Sequence, residues 1–146
     1  MTYRISLLVV TLWVGALWMT GIAAYTLFQH LADKQLAGSL AGHLFNVVSV
    51  IGLASAIWLM IARLLSHGTG ALKQSFFWIV FFMLLLVLAG HFGIQPLLAQ
   101  LKASALPQDV MQSVFANRFK AWHGVASIAY LIECILGAFL VLKMHQ

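Results

Sequence analysis

The chain has 146 residues, 63% hydrophobic and 8% charged, and its eight Lys/Arg against three Asp/Glu give a formal charge of +5. A mean hydropathy of +1.00 leaves too little polar surface to cover a soluble core of this length. The basic residues sit at the ends of apolar runs and form no stripe that could follow a phosphate backbone, which argues against nucleic-acid binding. Cys134, the single cysteine, lies inside an apolar run and allows neither a disulfide framework nor a CxxC metal knuckle.

Four apolar runs reach the length of about 20 residues that a bilayer crossing requires. In chain order they are Ile5 to Leu27, Leu40 to Leu64, Phe76 to Leu98 and Phe119 to Leu142. The first is too long for a signal-peptide core and lacks an A-x-A cleavage site, so a retained helix is expected. The connecting stretches QHLADKQLAGS, RLLSHGTGALKQS and QLKASALPQDVMQSVFANR leave no room for a further domain. The expected architecture is all-α: an integral membrane four-helix antiparallel bundle forming one domain over residues 1–146.

Within the runs, small residues recur at four-residue spacing: Ala16, Thr20 and Ala24, then Gly38/Gly42, Gly52/Ala56 and Ala89/Gly93. Such spacing lets helix backbones approach closely, which matters in lipid because lipid supplies no hydrophobic drive between helices. Trp13, Trp18, Trp58, Trp78 and Trp122 fit interfacial anchoring or packing. Orientation is balanced. Arg4, Arg63, Lys73 and Lys143 collect on one side, and Lys34, Lys102, Arg118 and Lys120 on the other. The positive-inside rule therefore gives a draw, and both termini are taken as cytoplasmic.

Because helices alternate direction, His30, His43, His91 and His123 fall in one half of the membrane. With a rise of about 1.5 Å per residue, His91 and His123 lie roughly 10–14 Å and 6–9 Å below that interface. His67 and His145, in a loop and at the tail, are expected to be solvated. Polar companions occur at helical spacing: Asn46 after His43, Gln95 after His91 and Ser127 after His123, the last face continuing through Tyr130 and Cys134. In AGHFGIQP, Pro96 removes the partner of the Phe92 carbonyl, and Gly90 and Gly93 flank His91, so a kink is expected there. Glu133 stands near the bilayer centre, where a charged carboxylate costs about 2.5 kcal/mol or more, so it is expected to be protonated, paired or facing a wet cavity. A bland reading stands beside each: neutral interhelical hydrogen bonds for the histidines, and a common transmembrane kink at Pro96.

The segments LWVGALWMTGIAAYTLF, LAGSLAGHLFN, GHFGIQPLL and RFKAWHGVAS resemble the bacterial branch of the transmembrane-protein-205-like family, catalogued as domain of unknown function 4149. The Phe119-x-x-x-His123-Gly124-x-x-Ser127 element carries most of that resemblance. It implies a small four-helix integral membrane protein and brings no mechanism with it; the location expected for the chain is the bacterial inner membrane.

Three functional readings compete. The first is a non-catalytic or accessory membrane protein, with Asn46, Gln95, Ser127, Tyr130 and Glu133 as intramembrane polar residues that lock the bundle or contact a partner protein or a second copy. The second is a redox protein in which His91 and His123 ligate a b-type haem or line a quinone pocket, with Arg118 and Lys120 meeting the propionates. The third is metal handling or transport through His43, His91 and His123. The chain offers no nucleophile–base pair, phosphate loop or H-E-x-x-H helix, which sets aside an ordinary hydrolase or kinase.

Overall fold

The computed structural model describes residues 2–144, and the expected solvated tail residue His145 lies outside them. Helix α1 spans Thr2–His30 and α2 spans Lys34–His67. A 3₁₀ segment, Gly68–Lys73, leads to α3 (Ser75–Leu88), a π-helical turn (Ala89–Ile94) and α4 (Gln95–Ala105). A short 3₁₀ turn at Val110–Gln112 precedes α5, Ala116–Leu142. Helix α3, the π turn and α4 together make the third of four helical spans long and apolar enough to cross a membrane.

The helices outrun the apolar runs because polar flanks continue them. Helix α2 starts six residues before Leu40, where the Asp33 carboxylate accepts the Gln35 and Leu36 N–H groups at 2.9 and 3.0 Å. An acidic N-cap satisfies free donors and complements the positive end of the helix. His67, expected in a loop, is instead the last, solvent-exposed residue of α2.

Helix α1 packs on α2, α2 on α3, α3 on α5 and α5 back on α1, closing a ring of four. The main core occupies the end of the bundle that holds the N-terminal half of α1 and the 3₁₀ connection. There Val10, Trp13 and Leu17 meet Ala56 and Leu59 of α2, Phe76, Val80 and Met83 of α3, and Leu140 of α5. A second, smaller core at the opposite end joins Leu101 and Ala105 of α4 to Val110, with Leu97, Phe115 and Phe119 packed against it. Outside these cores the surface is apolar: Leu8, Leu12, Met19, Ile61, Ile128 and Phe139 are all exposed. A face of that kind suits hydrocarbon rather than water.

The small-residue stripes divide. Thr20 and Ala24 are buried and Ala16 packs against the core. Ala56 is fully buried, and Gly52 sits where a Cβ would lie 2.9 Å from Trp13 Nε1 and 3.2 Å from Val87 Cγ2. Gly38 lies close to the Lys102 and Phe28 side chains, whereas Gly42 has open space beside it. The Ala89/Gly93 pair marks no helix contact. Both residues are exposed, and a Cβ at Gly93 would meet nothing within 4 Å. Trp13, expected as an anchor or a packing residue, packs: it is 0% exposed, its Nε1 without a hydrogen-bond partner.

Candidate functional site: a cavity inside the membrane span

Between the two cores the bundle is hollow. A cavity of about 1410 Å³ extends from Lys34 at the start of α2 and Asp109 in the α4–α5 connection inward to Glu133 and Cys134. From Phe119 to Glu133 along α5 is 14 residues, about 21 Å at helical rise. The space arises from a change in packing along the α1–α5 seam. At Gly21 the Tyr130 ring lies 3.4 Å from where a Cβ would be, and the Tyr130 hydroxyl donates to the Leu17 carbonyl, so the seam is closed. Beyond that contact Ile22, Tyr25 and Phe28 of α1 still line the cavity, yet they stay exposed.

The π turn shapes the opposite wall. The Gln95 N–H donates to the Gly90 carbonyl, five residues back, and Pro96 falls at the start of α4 where a missing N–H costs little. The expected kink is thus realised as one wide turn rather than as unwound backbone: Ile94 (φ −74°, ψ −46°) and Gln95 (φ −61°, ψ −46°) remain helical. The extra residue in the turn rotates α4 about the helix axis relative to α3, and this separates a pair that sequence spacing puts on one face. Gln95 lines the cavity and its Nε2 donates to Ser49 Oγ at 3.2 Å. His91 is absent from the cavity lining. It is half-buried with its ring edge-on to Phe92, centroids 4.7 Å apart, and its Nδ1 is buried without a partner.

Of the other expected residues, His43, Asn46, His123, Ser127, Tyr130 and Glu133 all line the cavity. His123 stacks on Phe119 at 5.8 Å and 12°, and its backbone carbonyl accepts the Ser127 hydroxyl at 2.9 Å. Arg118 and Lys120 are exposed and lie outside the lining. Two of the three histidines considered for metal face the cavity. Among the described residues no group of three or more His, Cys, Asp or Glu is gathered as a metal ion would need.

Among the cavity residues that sequence reading missed are Lys102, Ser49 and Phe45. Its place at the end of an apolar run marks Lys102 only as an interfacial charge. It is half-buried, with its Nζ 3.4 Å from the Gly38 carbonyl and 5.7 Å above the Phe119 ring. Its signal was available, since it continues the face of Gln95 and Leu98. Phe45 packs edge-on against Tyr130, centroids 4.9 Å apart.

Glu133 forms the inner end of the space. It is 7% exposed and has no hydrogen-bond or ion-pair partner among the described residues. The lining as a whole is apolar, with a few polar groups spread along its depth. That is the composition of a small-molecule site, although about 1410 Å³ exceeds the usual range of roughly 300–1,000 Å³.

Fold and cavity together define an integral membrane four-helix bundle with a hollow half. Within that class, the family model described as Domain of unknown function (DUF4149) matches residues 8–107, and the chain belongs to that family. The match takes in α1, α2 and the cavity wall of α3 and α4, and ends before the Phe119–Ser127 element and Glu133. No curated protein and no solved structure matches the chain.

Proposed function

We propose that this chain is a non-catalytic binding protein of the bacterial inner membrane, which takes a largely apolar small molecule from the bilayer into the hollow half of its bundle. The observation that carries this reading is the cavity itself. It holds about 1410 Å³ inside the membrane span and opens along the α1–α5 seam, where lipid-exposed side chains are also wall residues. Its polar groups are dispersed, with His43, Asn46, Gln95 and Ser127 from three helices giving orientation to a ligand rather than forming a reaction centre. The test is direct. The full chain in nanodiscs should bind a neutral lipophilic fluorophore such as N-phenyl-1-naphthylamine saturably, near one per chain, above the uptake of empty nanodiscs. Uptake that rises linearly and equals that of empty nanodiscs would sink the reading.

Both termini lie in the cytoplasm under this proposal, so the cavity's loop end faces outward. Reporter fusions at His67 and at the C-terminus are expected to read cytoplasmic, and one at Asp109 external. The reverse pattern would turn the loop end of the cavity towards the cytoplasm.

A further inference from the structure

The inner end of the cavity combines two features that neither the family nor the binding proposal accounts for: an unpartnered carboxylate and a set of aromatic rings beside it. We infer that the ligand is a lipophilic organic cation, held by its charge at Glu133 and by aromatic faces one turn nearer the opening. This rests on the binding proposal above and names its ligand class.

Glu133 sets the requirement. A carboxyl group more than nine-tenths buried, without a hydrogen-bond or ion-pair partner among the described residues, is either held neutral by a proton or compensated by something that supplies the missing charge, and a cationic ligand in the cavity does the second. Among the described residues no cationic side chain reaches it. The cavity lysines, Lys34 and Lys102, stand at the outer end, about 20 Å away by helical rise. Lys34 Nζ is already bound to the Phe28 and Leu31 carbonyls at 2.6 and 3.0 Å. Coulomb energy falls with distance, so a positive group in contact with Glu133 outweighs both lysines there.

The surroundings select the kind of cation. A bare metal ion needs several oxygen ligands. Here no group of three or more His, Cys, Asp or Glu is gathered among the described residues, and the residue next to Glu133, Cys134, is a buried thiol. An organic cation needs instead one counter-charge, apolar walls and π faces. Trp18, Phe45 and Tyr130 all line the cavity, and the Phe45–Tyr130 pair is fixed edge-to-face. Aromatic faces attract cations most strongly where water is excluded.

The test uses three probes of one shape and different charge: tetraphenylphosphonium, neutral tetraphenylsilane and anionic tetraphenylborate. Binding to the full chain in nanodiscs is measured by equilibrium dialysis against empty nanodiscs. The wild type should bind the phosphonium at least tenfold more tightly than the silane, and the borate least of all. Glu133→Gln, nearly isosteric, should remove that tenfold preference while leaving silane affinity unchanged. Phe45→Leu should weaken phosphonium binding several-fold with little effect on the silane. Equal wild-type affinities for phosphonium and silane would overturn the cation assignment and leave the cavity proposal standing, as would a preference that survives Glu133→Gln. Failure of all three probes to bind above background would overturn both. The wild-type comparison alone decides the matter if Glu133→Gln does not fold.

Discussion

Gly52→Leu should abolish the folded bundle, and Gly52→Ala should already weaken it measurably. A Cβ at position 52 would stand 2.9 Å from Trp13 Nε1 and 3.2 Å from Val87 Cγ2. Neither neighbour can withdraw cheaply, because Trp13 is 0% and Val87 3% exposed and both sit in the main core. Overpacking of this kind costs about 1–3 kcal/mol. Replacing glycine by alanine in a helix returns roughly 0.5–1 kcal/mol of propensity, so steric strain wins for alanine by a small margin. Leucine, with three further carbons, clashes far beyond what propensity can offset. Gly15 supplies the control: it is exposed on α1, and a Cβ there meets nothing within 4 Å. Gly15→Ala should be neutral or slightly stabilising. Thermal unfolding in mild detergent would read both series, and a Gly52→Leu protein as stable as wild type would refute the close packing of α1 against α2.

The second large effect is expected from filling the cavity. Gly42 lies on its wall with open space beside it, so Gly42→Trp can be accommodated without moving the helices. An indole brings about 150–250 Å² of surface into the space a ligand would use. Binding of the neutral fluorophore should fall at least tenfold, with the unfolding temperature held or raised. Gly15→Trp adds the same side chain to a position outside the cavity and should leave binding intact. Loss of binding in both variants, or in neither, would detach the ligand from this cavity.

Much of the fold was determined by the sequence alone, because a bilayer imposes one-dimensional rules. Apolar length decides which segments cross, backbone hydrogen bonding forces them to be helical, and short connections make neighbours antiparallel. The four spans and the interruption at Pro96 come from spacing along the chain. Glu133 was legible for the same reason: a carboxylate at mid-depth needs an explanation wherever its helix turns. What sequence could not decide is which side of a helix faces a neighbour, lipid or empty space. The His91–Gln95 pair shows why. An i, i+4 spacing places both on one face only if every turn is α-helical, and the single π turn at Ala89–Ile94 put Gln95 on the cavity wall and left His91 off it. The small-residue stripes teach the same lesson from the other side, since Gly52/Ala56 is a contact and Ala89/Gly93 is not, with nothing local to tell them apart. The cavity itself belongs wholly to tertiary structure. It exists because α1 and α5 are closed at Gly21 and Tyr130 and not beyond, and that divergence is a relation between segments about 110 residues apart, which no local pattern of polarity encodes.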